Sequence, residues 1–274
     1  MDWFSNLPSG NSVHQELGEI AIVRAEPIVP EKIRADLFAR HQGIPGHQQL
    51  ALESARILMA GAGGLNSWSG LSLVRAGAKH LTIADHDLVE LSNLPRQLFF
   101  SGDEGEPKAV RLAHHLAQHA VGGATIVGIA APFEEVIAQK ELAADIIVCG
   151  VDSNACRLAC AQFGRSRKIP VVFTMLSNDA TTCHCFLQEA DSEAPCLWCA
   201  RPNLDPEHVV PCASAIVSTC LLASAFTTFF VYRALMGWPA GMRRFNWREF
   251  DVTGSEPERT ALVMRRQPCW VCVS

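Results

Sequence analysis

Basic residues are scarce and scattered in this sequence. The 274 residues include 23 lysines and arginines against 28 acidic residues, the net charge is −5, and no basic run stands out. A nucleic-acid-binding surface needs clustered cations that neutralise phosphates. The charge pattern therefore gives no support for a protein that binds nucleic acid.

An export signal is also missing from the first residues. The stretch "MDWFSNLPSGNS" has neither the basic start nor the apolar core of a secretory signal. We therefore expect a cytoplasmic protein. In such a compartment its 11 cysteines are interpreted as thiols, metal ligands or catalytic groups rather than as a disulfide framework.

Long uncharged runs are rare, and one of them has the length of either a membrane span or a buried helix. No charged residue occurs over the 19 positions from Ala213 to Val231, but this run contains six serines and threonines and is followed directly by Tyr232 and Arg233. We expect a helix over residues 213–236 that is buried in a core or a dimer interface, and not a membrane span.

Short apolar stretches alternate with helix-length segments through the middle of the chain. Strands are predicted at 55–61, 80–85, 124–131, 144–152 and 170–176, and helices at 66–77, 107–120, 134–143 and 154–168. This alternation predicts an α/β fold with a doubly wound, mainly parallel Rossmann-like sheet and helices on both faces. A helix over residues 30–40 and a possible strand at 19–26 precede it. Antiparallel strands at 181–188, 245–252 and 260–266 are expected to extend the sheet.

A glycine turn follows the first of the parallel strands. Gly61, Gly63 and Gly64 lie where this strand leads into a helix, and Asp85 ends the next strand. Glycines at such a turn allow backbone N–H groups to approach phosphates, and an acid at the end of the second strand can bind ribose hydroxyls. The third glycine of the dinucleotide-binding fingerprint is replaced by Asn66, which tolerates unusual backbone angles. The pattern predicts a nucleotide site without choosing NAD or ATP.

Polar and cationic residues follow Asp85 at the expected carboxyl edge of the sheet. They are Asn93, Arg96, Gln97 and Lys108. Hydride transfer does not need cations there, whereas a triphosphate does. Asp152 ends a later strand, where its carboxylate could hold Mg²⁺ or could cap the helix that follows.

The motif order "GAGGLNS…DHDLVELSNLPRQ…PK…VCGVDSN…R" resembles the ThiF/MoeB/HesA family, the bacterial relatives of ubiquitin-activating enzymes. Such proteins use ATP and Mg²⁺ to adenylate the C-terminal glycine of a small ubiquitin-fold protein. The resemblance implies that Asp85 holds the ribose, that Asp87 lies close to the triphosphate and that Asp152 binds Mg²⁺. It assigns phosphate binding to Asn93, Arg96, Gln97 and Lys108.

The resemblance also implies a homodimer, in which an N-terminal arginine of one subunit reaches the phosphates bound by the other. Arg34 in "IRADLF" is our choice for this residue and Arg40 is the alternative, although the flanking sequence departs from the "RYxRQ" of the family. We expect an N-terminal extension over residues 1–29 and a ThiF-type adenylation domain over residues 30–274.

Two C-x₂-C pairs occur in the last third of the chain, at 196–199 and 269–272. Four thiolates can bind Zn²⁺ tetrahedrally, although a buried cysteine pair beside a frayed terminus is the alternative on spacing alone. The family has the same two zinc knuckles, which implies a zinc clip formed by Cys196, Cys199, Cys269 and Cys272.

Cys212 precedes the long apolar run, and a position at a helix N-terminus would lower the pKa of its thiol. Its surroundings, "CAS", resemble the thioester-forming cysteine of ubiquitin-fold-modifier activating enzymes. In ThiF-type relatives the matching cysteine takes part in sulfur transfer, and an inert buried thiol is the third possibility. We expect His114 and His115 to lie on a helix face. The cysteines expected in the core are Cys149, Cys156, Cys160, Cys183, Cys185 and Cys220.

The sequence thus predicts a homodimeric enzyme that adenylates a ubiquitin-like or sulfur-carrier protein. In one version Cys212 then forms a thioester and passes the acyl group to a conjugating enzyme. In the other, activation of a sulfur carrier serves thiamine or molybdopterin synthesis. A non-catalytic nucleotide-binding partner of an activating enzyme and an NAD oxidoreductase are the rivals from other classes.

Overall fold

The fold is one nine-stranded sheet with helices on both faces. The computed structural model describes residues 18–28, 34–139, 142–207 and 214–272. The nine strands are β1 (Ile20–Ala25), β2 (Arg56–Ala60), β3 (His80–Ala84), β4 (Ala124–Ile129), β5 (Ile146–Cys149), β6 (Val171–Leu176), β7 (Thr182–Gln188), β8 (Trp247–Asp251) and β9 (Arg259–Ala261).

Nine α-helices are described in these ranges, several of them short. They are α1 (Arg34–Leu37), α2 (Ala39–Gln42), α3 (Gln49–Ser54), α4 (Gly64–Ala76), α5 (Lys108–His119), α6 (Phe133–Ile137), α7 (Asn154–Arg167), α8 (Leu197–Ala200) and α9 (Val217–Met236). Three 3₁₀ turns lie at Leu91–Asn93, Ser101–Asp103 and Ala240–Arg244.

The strand order across the sheet is β1-β4-β3-β2-β5-β6-β7-β8-β9. Strands β4, β3, β2, β5 and β6 run parallel, as predicted, whereas β1 pairs antiparallel with β4 at one end and β7, β8 and β9 continue antiparallel at the other. The chain leaves β2 toward β3 on one side and later returns to place β5 on the other. The boundary between β2 and β5 is therefore the topological switch point, where ligands of such folds bind.

Two apolar cores cover the two faces of the sheet. Along β2, Ile57 and Met59 belong to one core and Leu58 and Ala60 to the other, because successive strand side chains point to opposite faces. The first core is completed mainly by α4, α5 and α9, and the second by α6, α7 and the four cysteines of the two C-x₂-C pairs. Because both faces of the sheet are covered, the parallel strands are continuously apolar.

Helix α9 is the long apolar element, and by length and composition alone it could cross a membrane. Half of its most apolar window is buried within the protein. Two of its buried hydroxyls form hydrogen bonds within the protein, since Ser224 donates to Leu65 O at 2.7 Å and Thr227 donates to Ala223 O at 2.8 Å. These two residues therefore allow the helix to pack against α4 and the sheet without an unsatisfied hydroxyl.

Several boundaries differ from those expected. The helix predicted over residues 30–40 is described from residue 34 onwards and is interrupted at Phe38, whose buried ring packs close to Gly77. The helix predicted from residue 213 begins only at Val217. Residues 20–25 of the expected N-terminal extension form β1, the edge strand of the sheet.

Candidate active site

The main cavity lies at the carboxyl edge of the sheet and crosses the switch point. Its volume is about 860 Å³, and its walls come from the segments that follow β2, β3, β5 and β6, together with β7 and the approach to α9. The predicted residues that line it are Gly61, Gly63, Gly64, Asp85, Asp87, Arg96, Gln97, Lys108 and Asp152. The fold therefore brings most of the predicted nucleotide site together.

Two positions of the glycine turn require glycine for a physical reason. Gly61 has φ of +91°, which favours glycine. At Gly64 a Cβ atom would come within 3.0 Å of Cys220 Sγ and 3.3 Å of Arg96 O, so a side chain there would press on two neighbouring segments. Gly63 has no such neighbour and leaves its backbone open to the cavity. The first N–H groups of α4 can therefore meet a phosphate directly.

The sequence suggested that Asn66 replaces glycine because it tolerates unusual backbone angles, but its role in the structure is different. It lies inside α4 with helical geometry, and its buried amide donates to Ala60 O at 2.6 Å and to Gly61 O at 2.9 Å. Gly150 packs against its Oδ1 so closely that a Cβ would meet this atom at 2.4 Å. Asn66 thus ties the ends of β2 and β5 together beneath the cavity, which glycine could not do.

Asp85 and Asp87 form the acidic corner of the cavity. Asp85 accepts hydrogen bonds from the N–H groups of Ala62 at 2.6 Å and of Asp87 at 2.8 Å. Burial raises the pKa of the Asp85 carboxyl, and these hydrogen bonds oppose the shift. Lys108 Nζ lies 2.8 Å from Asp87 Oδ2, so the ammonium is balanced while it points at the cavity.

The loop "SNLPRQ" is held onto α4 by two hydrogen bonds. Trp68 Nε1 donates to Arg96 O at 3.0 Å, and the N–H of Leu98 donates to Ser67 Oγ at 3.3 Å. These contacts place the Arg96 and Gln97 side chains in the cavity wall. Asn93 does not line the cavity, because its side chain accepts from the N–H of Glu90 and closes its own 3₁₀ turn.

Asp103 fixes the far end of the same loop to α5. Its buried carboxylate accepts hydrogen bonds from Arg111 Nε at 2.6 Å and from the N–H of Phe100 at 2.8 Å, and it lies 2.6 Å from His115 Nε2. Burial raises the pKa of Asp103, but the hydrogen bonds from Phe100, His115 and Arg111 outweigh it and lower that pKa below its ordinary value. His114 and His115 both lie in α5, where His115 is buried and bonded and His114 is exposed.

Replacing Asp103 by asparagine is expected to lower the free energy of unfolding by about 3 kcal/mol at neutral pH, because it removes the counter-ion of a buried network. Because the folded pKa is lowered, the stabilisation is present above the unfolded pKa of about 3.9 and is lost as the pH falls through the folded pKa. Urea unfolding of wild type and variant measures both effects. The matched control is Glu104→Gln at an exposed neighbour. Equal stability of the Asp103→Asn variant and wild type would contradict this anchoring role.

Asp152 faces the cavity and does not cap the helix that follows. The N-cap of α7 is Ser153, whose Oγ accepts from the N–H of Cys156 at 3.2 Å. The exposed carboxylate of Asp152 forms no hydrogen bond or direct ion pair with any residue in the described ranges. A carboxylate of this kind suits Mg²⁺, which prefers oxygen ligands and is commonly held by one or two carboxylates and substrate phosphates.

Three residues that were not predicted also line the cavity, on the side formed by β5 to β7. Arg157 comes from the first turn of α7, Arg201 follows α8, and His184 lies on β7. His184 Nδ1 is 3.2 Å from Glu249 Oε2. Sequence reasoning missed these residues, since only the fold brings α7, α8 and β7 together. The one local signal was the position of Arg157 shortly after Asp152.

The two candidates for the cross-subunit arginine, Arg34 and Arg40, lie in α1 and α2. The side chain of Arg34 lies outside the described residues, and the exposed Arg40 does not line the cavity. Its neighbour Phe38 packs near Gly77, which precedes β3 and therefore lies at the opposite edge of the sheet. The homodimer remains a prediction.

The two C-x₂-C pairs meet in one buried cluster. Cys196 Sγ lies 3.8 Å from Cys199 Sγ and 3.4 Å from Cys269 Sγ, and Cys199 Sγ lies 3.7 Å from Cys272 Sγ. Zn–S bonds of about 2.3 Å in a tetrahedron require sulfur separations of about 3.8 Å. The donor set and the spacing therefore fit Zn²⁺, and the N–H of Arg266 also donates to Cys199 Sγ at 3.3 Å.

The other cysteines divide into buried thiols and one that is not described. The six that were expected in the core are all buried, but Cys156 and Cys220 also line the cavity. Burial raises the pKa of Cys220, although it lies in the first turn of α9. Cys212 lies outside the described residues.

The arrangement can bind an anionic nucleotide. Backbone N–H groups at the start of α4, Arg96 and Lys108 supply positive charge, and Asp85 supplies an acceptor for hydroxyls. Asp152, which has no bonded partner among the described residues, adds a site for a hard cation. Such a set positions and stabilises phosphates whose bonds change during a reaction.

Comparisons with known proteins place these features in a family. The sequence profile of the ThiF family matches residues 37–271. Over 76 residues, 28% of this chain, the sequence is 46% identical to the adenylyltransferase and sulfurtransferase UBA4 of Yarrowia lipolytica, of which this region covers 19%. Over 116 residues, 42% of this chain, it is 33% identical to the NEDD8-activating enzyme E1 catalytic subunit of Caenorhabditis elegans, of which it covers 27%. The matched regions thus span about a fifth to a quarter of these relatives.

The fold is also found among solved structures. The crystal structure of Escherichia coli MccB with AMPCPP and MccA superposes with a TM-score of 0.72, covering 89% of this chain and 76% of that chain. The sequence identity is 18%, so the similarity shows the fold alone.

Proposed function

Because the chain belongs to the ThiF family, whose profile spans residues 37–271, we propose that it adenylates the C-terminal glycine of a ubiquitin-like or sulfur-carrier protein with ATP. One observation carries this proposal: a single cavity joins the glycine turn, Arg96, Lys108 and the carboxylate of Asp152. An NAD oxidoreductase would not need this set of cations. We also propose a cytoplasmic location.

The reaction needs positioning more than proton transfer. The carboxylate of the carrier is ionised at neutral pH and needs no general base. One of its oxygens attacks the α-phosphorus of ATP, an acyl–phosphate bond forms, and the bond from the α-phosphorus to the bridging oxygen of pyrophosphate breaks. Charge develops on the phosphate oxygens, where the N–H groups of α4, Arg96 and Lys108 can stabilise it.

Magnesium fits the same site. Asp152 would hold Mg²⁺ that accompanies the nucleotide, and the ion would supply positive charge to the phosphate oxygens. The residues themselves hold the nucleotide: Asp85 accepts from the ribose hydroxyls, and Lys108 and Gln97 donate to phosphates. Asn93 is proposed to support the loop and not to contact the nucleotide, since its side chain is used in its own turn.

A homodimer would complete the site. α1 and α2 lie at the opposite edge of the sheet from the subunit's own cavity. An arginine of this segment, Arg34 or the alternative Arg40, would therefore serve the cavity of the partner subunit. This supports the cross-subunit role that the resemblance implies.

The thiolate of Cys212 is proposed to attack the acyl adenylate next, so that a thioester forms, the acyl–phosphate bond breaks and AMP leaves. Asp205 and Ala215 lie on either side of this cysteine in the chain, and both line the cavity. Cys212 itself lies outside the described residues. The dipole of α9 acts within its first turn, which begins at Val217, and gives this role no support. The place of Cys212 in the sequence between two segments that line the cavity is the remaining support.

Cys212→Ala should leave ATP–pyrophosphate exchange at the wild-type rate, because adenylation precedes attack by the thiol. It should abolish a DTT-sensitive adduct between enzyme and carrier on a non-reducing gel. The matched control is Cys220→Ser, a second thiol of the same cavity, which should retain the adduct. An adduct that survives in Cys212→Ala and disappears in Cys220→Ser would move the acceptor to Cys220.

Two other outcomes correspond to the alternative functions. Normal exchange without any adduct would favour MoeB-type activation of a sulfur carrier, a role suggested by the sulfurtransferase name of the Yarrowia relative. An adduct that a conjugating enzyme accepts would favour the modifier pathway suggested by the NEDD8-activating relative. ATP binding without exchange would identify a non-catalytic partner.

The proposed function is tested by ATP–pyrophosphate exchange with a panel of ubiquitin-fold carriers that end in glycine. Exchange should depend on one of these carriers and on Mg²⁺. Absence of exchange with every carrier tested, despite ATP binding, would refute catalytic adenylation of this substrate class.

A further inference from the structure

The cavity has two separate groups of cations. One group, Arg96 and Lys108, lies near the ends of β2 and β3, where Lys108 pairs with Asp87. The other, Arg157 and Arg201, lies on the side of β5 to β7. Four strand spacings of about 4.8 Å separate β3 from β7, so the cavity edge spans about 19 Å. One nucleotide phosphate chain accounts for the first group and leaves the second group without a ligand.

Arg201 is held in the cavity wall by its local structure. It follows the zinc-knuckle residue Cys199 by two positions, and its N–H donates to Leu197 O at 2.8 Å. The loop that continues from it is fastened where Asn154 Nδ2 donates to Asp205 O at 3.0 Å and where Leu204 is buried. The zinc clip and α7 thus fix the backbone that carries this side chain.

The guanidinium of Arg201 has no counter-ion among the residues that the structure describes. It forms no ion pair or hydrogen bond with any residue in the described ranges. Its neighbour Arg157 donates from Nη1 to Asn154 Oδ1 at 2.7 Å, but its Nε is buried without a partner. Two neighbouring guanidiniums with unused donors are matched by an anion, and a carboxylate fits their planar geometry.

The other ionisable groups at this side do not satisfy Arg201. His184 Nδ1 lies 3.2 Å from Glu249 Oε2, and burial lowers the pKa of His184, with Arg201 and Arg157 acting in the same direction and Glu249 opposing them. Of the acids that line this side of the cavity, Asp152 has been assigned metal binding, and neither Glu134 nor Asp205 forms an ion pair with Arg201. Arg157 and Arg201 therefore face the cavity without a direct ion pair among the described residues.

We propose that Arg201, assisted by Arg157, binds the terminal carboxylate of the acyl substrate and holds it for attack on the nucleotide. The inference rests on the proposed function and adds the residue that receives the second substrate. Adenylation brings two anions together, a triphosphate and a carboxylate, and each needs its own cation to offset their repulsion. The carboxylate loses its charge when the acyl–phosphate bond forms, so Arg201 contributes to binding more than to the rate of the bound complex.

The experiment measures how strongly the protein distinguishes a carboxylate from an amide at the end of the carrier. The probe is a ubiquitin-fold carrier that supports ATP–pyrophosphate exchange, together with the same carrier amidated at its C-terminus. Binding is measured with an ATP analogue that has a methylene group between the α- and β-phosphorus atoms, which prevents the reaction. The variants are Arg201→Ala, Arg201→Lys and, as a control outside the cavity, Arg259→Gln.

Wild-type protein should bind the acid carrier about tenfold more tightly than the amide. Arg201→Ala should remove this difference by weakening binding of the acid form alone, and should raise KM for the carrier without changing the affinity for the ATP analogue. Arg201→Lys should retain part of the difference, because it keeps the charge without the planar fork. Arg259→Gln should behave as wild type.

Other results would overturn the inference. If Arg201→Ala weakens acid and amide carriers equally, the residue contacts another part of the carrier. If it weakens binding of the ATP analogue, Arg201 belongs to the nucleotide site. An unchanged preference for the acid would exclude any contact with the carboxylate. If no carrier supports exchange with wild-type protein, the proposed function itself fails, and the assignment of Arg201 fails with it.

Discussion

Replacing Asp152 by alanine is expected to reduce carrier-dependent ATP–pyrophosphate exchange by about 10³-fold or more while the fold stays intact. The carboxylate is exposed to the cavity and has no bonded partner among the described residues, so its loss creates no buried defect. It would remove the residue that holds Mg²⁺ against the phosphates. The circular dichroism spectrum and the free energy of unfolding should match those of wild type.

The neighbouring residue supplies a matched control. Ser153→Ala removes the N-cap of α7 and should cost about 1 kcal/mol of stability with exchange largely retained. The two adjacent substitutions therefore have opposite expected effects, one on catalysis and one on stability. Normal exchange in Asp152→Ala would contradict the metal-binding role, and a loss of stability in that variant would restore the capping role.

Loss of the zinc clip is expected to have the largest effect on stability. The isolated protein should contain one zinc per chain, and Cys196→Ser should lose it, because four thiolates within bonding distance of one centre form the site. Metal binding to structural sites of this kind contributes on the order of 10 kcal/mol, so the variant should unfold at much lower urea concentration. Cys156→Ser, which removes a buried thiol outside the cluster, should retain the metal.

Elemental analysis and urea unfolding of the same preparations test this prediction. Near-zero zinc in wild-type protein, with all four thiols reacting in the native state, would contradict the site. A Cys196→Ser variant with wild-type stability would show that the cluster contributes nothing to folding.

Most of the fold could be predicted from periodicity and turn residues. Strand β2, its glycine turn and helix α4 with Gly77 at its end follow the expected pattern, because each depends on neighbours in the sequence. Boundaries that depend on tertiary contacts were less accurate. The first predicted helix is interrupted at Phe38, whose side chain is buried. The uncharged run starts at residue 213, but helix α9 begins only at Val217, so the run did not indicate the first residue of the helix.

Site residues that belong to a sequence motif could be predicted, whereas residues brought to the cavity by the packing of distant segments could not. The residues that line the nucleotide side of the cavity follow strands β2, β3 and β5, so their position could be read from the strand pattern. Ser153 replaces Asp152 as the helix cap, and only side-chain geometry separates two such neighbours. Arg201 and His184 reach the cavity from distant segments, which a single sequence does not reveal.

The central claim is that this protein joins AMP to a carrier through its terminal carboxylate, and analysis of the products tests it most directly. Wild-type protein is incubated with MgATP, a ubiquitin-fold carrier that ends in glycine and inorganic pyrophosphatase, which prevents reversal. Mass spectrometry of the carrier and chromatography of the nucleotides then identify the products. We predict one AMP, either bound to the carrier or released when the acyl group passes to Cys212, for every two phosphates formed from the pyrophosphate, and no such products with a carrier whose terminal carboxylate is amidated. Formation of ADP instead of AMP, or equal product formation with the amidated carrier, would contradict the account.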